Sequence, residues 1–262
     1  MPHIWCPGCG HGTAMGSLIR GIDQAGIDQN KTVVVSGIGC SGRMPGYLDF
    51  DTLHTTHGRA IAFATGIKLA NPELNVIVIT GDGDGAAIGG NHLIHACRRN
   101  IDLTVFLLNN QIYGMTGGQY SPMTPEQAIS STTPFGNIDQ SFDLCQLTIA
   151  AGATCVGRGT VYHNRLLVKL IRIALEHKGF SFIEAYTQCP IGYGRKNKMA
   201  SALEMLRWQK ERAVTEKKWS ELSPAEREGK FPIGLLLQEE REEYTARYQQ
   251  IIDQIQKGVE NE

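Results

Sequence analysis

Short apolar runs recur along the chain, separated by longer stretches in which apolar residues return every three or four positions. "TVVVSGIGC" (Thr32 to Cys40) is a β-branched run ending in glycines, the pattern of a buried strand entering a loop. "NVIVIT" (75–80), "LTVFLL" (103–108) and "FSFIEAY" (180–186) are further runs of strand length. Between them, helical spacing covers Thr13 to Ala25, His57 to Pro72 (closed by Asn-Pro), Ala86 to Arg99 and His163 to His177. Apolar strands alternating with amphipathic helices predict an α/β fold: a mainly parallel sheet with helices on both faces. In such sheets ligands bind beyond the carboxyl ends of the strands.

From about Ala200 the pattern changes to charge-rich helix, "ALEMLRWQKERAVTEKKWSEL" and "EREEYTARYQQIIDQIQKG", joined by a segment holding Pro224, Gly229, Pro232 and Gly234. The expected organisation is therefore one domain over 1–199 and a C-terminal helical extension over 200–262. At 262 residues one large domain can bury its own core.

Charge narrows the partners. Lys and Arg number 25 against 26 Asp and Glu, so no basic excess drives binding to nucleic acid or an anionic membrane. No apolar run approaches the roughly 20 residues needed to span a bilayer, and the start lacks the basic and apolar regions of a secretory signal. A soluble, cytoplasmic protein is expected. In a reducing compartment seven cysteines, an odd number, raise a question of metal or redox chemistry rather than of disulfides.

The run 75–80 passes straight into "GDGDGAAIGG", and the next run ends in "NNQIYG". A helix of about 14 residues travels roughly 21 Å and a six-residue strand returns roughly 20 Å, which brings Asn110 back to the level of Asp82. Glycines at 81, 83 and 85 leave room for a phosphate against the backbone, and the helix that follows, with Asp84 in its first turn, offers its amides to negative charge. Asp82 and Asn110 supply the hard oxygen ligands that Mg²⁺ accepts beside phosphate oxygens. No GxGxxG and no Gly-Lys-Ser/Thr is present at this loop, so it is neither a Rossmann fingerprint nor a Walker loop. A lone Gly-Asp-Gly often marks only a tight turn.

The combination resembles the GDG…NN signature of thiamine diphosphate enzymes. That resemblance implies Mg²⁺ held by Asp82, Asn110 and the carbonyl of Ile112. Such enzymes also need a glutamate that activates the aminopyrimidine ring. The module bearing it is not readable in this chain, so a partner α subunit carrying it is expected.

The chain opens with "HIWCPGCGHG", whose Cys6 and Cys9 could serve zinc, an iron–sulfur cluster or a redox dithiol. Cys40 and Cys189 each lie just beyond a predicted strand, on the edge assigned to the cofactor. Four thiolates could meet there. The other three, Cys97, Cys145 and Cys155, sit in apolar surroundings and read as small core residues.

Taken together, "CPGCGHG", "GIGCSG", "HTTHGRA", "GDGDG…NNQIYGMTGGQ" and "YTQCPIG" resemble the β subunit of 2-oxoacid:ferredoxin oxidoreductases over Cys6 to Gly194. What the resemblance implies is a 4Fe–4S cluster on Cys6, Cys9, Cys40 and Cys189, and coenzyme A-dependent oxidative decarboxylation of a 2-oxo acid with electrons passing to ferredoxin. It leaves room for further small cluster-bearing subunits. 2-Oxoglutarate is preferred over pyruvate and branched-chain oxo acids as the expected substrate. By the same resemblance, Ile38, Gly39, Cys40 and Ser41 touch the thiamine. The loop "YGMTGGQYSPMT" (113–124), with Gly114, Met115 and Thr116 as candidate contacts and Gly117 and Gly118 giving backbone access, could wrap the cofactor, and a surface loop is the alternative. His57 either contacts the diphosphate or reacting carbonyl or caps a helix. Two other readings stand beside this one: half of a split thiamine-dependent decarboxylase with structural zinc, and a regulatory nucleotide-binding module.

Overall fold

The computed structural model describes residues 2–199 and 201–259; Ala200, where the charge-rich segment is expected to begin, lies outside them. Eight strands form one sheet: β1 (Thr32–Ser36), β2 (Asp51–His54), β3 (Asn75–Gly81), β4 (Leu103–Asn109), β5 (Cys155–Thr160), β6 (Phe180–Tyr186), β7 (Ala213–Thr215) and β8 (Phe231–Gln238). Their order is β2-β1-β3-β4-β6-β5-β8-β7. The first six run parallel, and β8 pairs antiparallel with β5.

The expected parallel sheet is present, and alternation along its strands builds two cores. Val76, Val78, Val105, Leu107, Phe180 and Phe182 face one side, packed against α2 (Ala60–Ala70), α3 (Gly90–Arg99) and α4 (Leu144–Ala150). Ile77, Ile79, Phe106, Leu108, Ile183 and Ala185 face the other, under α1 (His11–Ala25) and α5 (Asn164–Glu176). Burial on both faces is why these strands read as continuous apolar runs.

Elements outside the expectation have local causes. β2 is an edge strand with three of its four residues exposed, and it carries no apolar run. In β5 the sequence "CVGRGT" is broken by glycines that admit a close helix: a Cβ at Gly159 would stand 3.0 Å from Leu167 Cδ1 of α5. The extension is helical, with α6 (Ala202–Arg212), α7 (Glu216–Glu221), α8 (Pro224–Arg227) and α9 (Tyr244–Val259). It also contains strands: the helix expected over 202–222 is interrupted by β7, and the Pro/Gly segment taken as a linker includes β8. Its Leu235, Leu236 and Leu237 pack on both cores and extend the sheet past β5. Among the described residues no helix is long and apolar enough to cross a membrane.

Candidate active site

β1, β3, β4 and β6 are consecutive neighbours in the sheet and parallel. Their carboxyl ends therefore lie side by side and deliver, in turn, the loop Gly37–Ser41, Asp82, Asn110 and Cys189 to one rim. A cleft opens there. From the β1 loop it is lined by Ile38, Gly39, Cys40 and Ser41, and from the end of β3 by Gly81, Asp82, Gly83 and Asp84. Asn110, Ile112, Tyr113, Gly114, Met115 and Thr116 complete it from the β4 side.

Asp82 and Asn110 line the same cleft, as the strand geometry predicts. Asp82 is buried, and its Oδ2 accepts from Ser121 Oγ at 2.7 Å. Burial pushes its carboxyl up to about 7, against the lowering effect of Ser121 and the backbone N–H groups of Gly83 and Ile112. Such a carboxylate is one that a bound cation would hold ionised. Asn110 Oδ1 accepts from the Ile112 N–H at 3.3 Å, which closes the turn and brings the Ile112 backbone beside it. A carboxylate, an amide oxygen and a carbonyl form an oxygen donor set that fits Mg²⁺.

Between β3 and α3 the chain makes a π-helical turn, Gly83–Ile88, so the helix expected from Ala86 begins as a wide turn. The glycines here serve close packing. A Cβ at Gly83 would stand 2.3 Å from the Tyr113 ring, whose hydroxyl donates to Gly83 O at 2.7 Å. The turn and the β4 loop thus form one wall of the cleft, with Gly81 and Gly83 in its lining, where a phosphate could approach the backbone.

Two expected contacts sit behind the cleft wall. Gly85 does not line it: a Cβ there would lie 2.8 Å from Thr80 Cγ2 and 3.2 Å from Leu107 Cδ1, so its place is against the strands. His57 stands one layer back, edge-on to the Tyr113 ring, with Nδ1 at 2.7 Å from Asp84 Oδ1. Asp84 faces the cleft with its backbone, while its carboxylate is engaged internally. Oδ1 also accepts from the Gly58 N–H at 2.7 Å and Oδ2 from Thr80 Oγ1 at 2.8 Å. Asp84 thereby ties the loop before α2, including His57, to β3.

The amino-terminal cysteines reach this rim through specific bonds. Gly10 N–H donates to Gln188 O at 3.0 Å and Gln188 Nε2 to Gly8 O at 3.0 Å. A Cβ at Gly10 would lie 2.7 Å from Gln188 N, so only glycine lets the segment dock beside Cys189. Trp5 Nε1 donates to Cys40 O at 2.7 Å and holds the same segment to the β1 loop. The result is that Cys6, Cys9, Cys40 and Cys189 are gathered, each within electrostatic range of the other three. Burial and the neighbouring thiols push Cys9 up to about 12 and Cys40 to about 11. Gly192 N–H donates to Cys189 Sγ at 3.3 Å, and His11 Nδ1 lies 3.4 Å from Cys9 Sγ. Among the described residues no group of three or more His, Cys, Asp or Glu side chains is already arranged to hold a single metal ion. The remaining cysteines, Cys97, Cys145 and Cys155, are buried in the cores as expected.

Sequence reasoning placed Tyr113 and Ser121 in the loop expected to wrap the cofactor without singling out either, and it did not single out His11. His11 stands two residues after Cys9, which was the available signal; Ser121 lies in a loop with no periodicity.

A phosphate cradle and an oxygen donor set at the carboxyl rim of a parallel sheet define a thiamine diphosphate-binding α/β module. The sequence model for the family "Thiamine pyrophosphate enzyme, C-terminal TPP binding domain" matches residues 8–185. The chain is 52% identical to the 2-oxoglutarate synthase subunit KorB of Methanothermobacter marburgensis over 97% of its own length and 89% of that protein's. With the subunit of the same name from Methanocaldococcus jannaschii it shares 49% identity over 97% of this chain and 94% of the relative. A solved 2-oxoglutarate:ferredoxin oxidoreductase from Magnetococcus marinus, with 2-oxoglutarate, coenzyme A and succinyl-CoA bound, superposes with a TM-score of 0.87 at 34% identity, covering 97% of this chain and 88% of that one. This chain belongs to the β subunits of the 2-oxoacid:ferredoxin oxidoreductases, thiamine diphosphate-dependent oxidoreductases.

Proposed function

We propose that this chain is the cofactor- and cluster-bearing β subunit of an enzyme that converts 2-oxoglutarate and coenzyme A to succinyl-CoA and CO₂, passing two electrons singly through a 4Fe–4S cluster to ferredoxin. The observation that carries the reading is the shared rim: Asp82 and Asn110 lie on the ends of strands adjacent to those that present Cys40 and Cys189. The relatives named for 2-oxoglutarate support the choice of substrate.

When bound, thiamine diphosphate supplies the electron sink for decarboxylation, and a cluster supplies one-electron acceptance. The protein's part is placement. Asp82, Asn110 and the Ile112 carbonyl would hold Mg²⁺, and the backbone of Gly81–Asp84 would receive the diphosphate. Ile38–Ser41 and Gly114–Thr116 flank the ring system. Asp84 holds His57 through Nδ1 and ties the loop before α2 to β3 behind the cleft wall. Cys6, Cys9, Cys40 and Cys189 would ligate the cluster, and their place on the rim that carries Asp82 and Asn110 suits a redox group beside the cofactor better than a structural zinc. The α subunit contributes the activating glutamate.

The test is anaerobic co-purification with the α subunit, followed by coenzyme A-dependent reduction of a low-potential dye. Reduction with 2-oxoglutarate well above that with pyruvate supports the proposal. CO₂ release without dye reduction would favour a simple decarboxylase, and preference for pyruvate would overturn the substrate.

A further inference from the structure

Resting on the cluster reading above, we propose that His11 donates a hydrogen bond from Nδ1–H to the Cys9 thiolate and thereby raises the reduction potential of the cluster. His11 is the first residue of α1, is 1% exposed, and has Nδ1 at 3.4 Å from Cys9 Sγ. The His11 backbone N–H bonds the same sulfur. Among the described residues the His11 ring has no other hydrogen-bond partner, and the residue also lines the cofactor cleft. Trp5, itself fixed to Cys40 O, packs its ring 5.9 Å from the imidazole and shuts it from water on that side.

A ligating thiolate accepts hydrogen bonds and cannot donate them, which assigns the proton to Nδ1. An N–H···S bond draws charge from the sulfur. Reduction adds an electron to the cluster, so the reduced state gains more from the bond than the oxidised state, and the potential rises. Burial leaves this effect unscreened by solvent. The two backbone donors, at His11 and at Gly192 against Cys189, survive side-chain substitution. The imidazole is the donor that a substitution can remove.

The experiment is an EPR-monitored redox titration of the anaerobically purified complex carrying wild-type chain, His11→Leu or His11→Asn. Asn places an amide N–H close to where His places Nδ1. A lowered midpoint in His11→Leu, with His11→Asn near wild type, is expected. Equal midpoints in all three, with iron and sulfide contents unchanged, would overturn the inference. Should His11→Leu fail to assemble a cluster, pulsed EPR of the reduced wild-type complex labelled with histidine carrying ¹⁵N in the imidazole ring only decides: a ring-nitrogen coupling supports the bond and its absence refutes it. Wild-type complex without iron and sulfide would instead refute the cluster itself, and this inference with it.

Discussion

The point at which Gly114 would carry a β-carbon lies 3.2 Å from Cys189 Sγ, and 4.0 Å from both Cys40 Sγ and Asn110 Nδ2. Gly114 therefore marks where the cofactor loop and the thiol group touch, with no space for a side chain between them.

Gly114→Val is predicted to lower the iron and sulfide content of the anaerobically purified complex. Gly114→Ala, tight by only a few tenths of an ångström, is expected to lower it less. Far-ultraviolet circular dichroism of both variants should match wild type, because residue 114 lies in a loop outside the sheet.

Behind the Asn-Asn motif lies a buried ionic network. Asn109 Nδ2 donates to Glu184 Oε1 at 2.7 Å, and Arg158 Nε donates to Glu184 Oε2 at 2.7 Å. Arg158 also pairs with Asp143, and both Arg158 and Glu184 are buried. Glu184→Gln keeps an acceptor for Asn109 but leaves the guanidinium with a partner on one side only. A loss of about 3–5 kcal/mol is expected, the range for removing one member of a buried pair. Urea unfolding monitored by tryptophan fluorescence checks this through a lower midpoint.

Ser121 supports Asp82 from a loop 39 residues along the chain. Ser121→Ala is predicted to weaken Mg²⁺-dependent binding of thiamine diphosphate by about 10- to 100-fold, as expected for an outer partner of a metal ligand. Asp82→Ala should abolish measurable binding, and EDTA should do the same to wild type. Isothermal titration of the αβ complex with the cofactor, at fixed Mg²⁺, separates the cases.

A Cβ at Gly37 would stand 1.6 Å from Asp84 Oδ2. Gly37→Ala must therefore displace Asp84 from His57, Gly58 and Thr80, stranding buried polar groups at about 1–3 kcal/mol each. Low soluble yield is the expected outcome, measured against Gly46→Ala, where nothing lies within 4 Å of the added methyl.

The sheet was legible where strands are buried on both faces. β3, β4 and β6 announce themselves because Ile77, Phe106 and Phe182 and their neighbours all need cover. β2 has one face in solvent, β5 interrupts its apolar residues with Gly157, Arg158 and Gly159, and β8 carries Pro232 and Gly234, so none has that signature. The placing of Asp82 and Asn110 on one cleft, and of Cys40 near Cys189, was readable because strand ends on one edge converge. The direction of each side chain in a wide turn was not. In the π-helical turn Asp84 turns its carboxylate inward and Gly85 packs on Thr80, which no periodicity of period 2 or 3.6 encodes.

The proposed function depends most on the four thiols sharing one cluster, so the decisive measurement is iron and acid-labile sulfide per β chain in anaerobically purified complex. Wild type should hold a cluster's complement of both, and Cys9→Ser, Cys40→Ser and Cys189→Ser should each lose most of it while still binding thiamine diphosphate. Wild-type levels retained in Cys40→Ser or Cys189→Ser, or zinc in place of iron and sulfide in wild type, would contradict it.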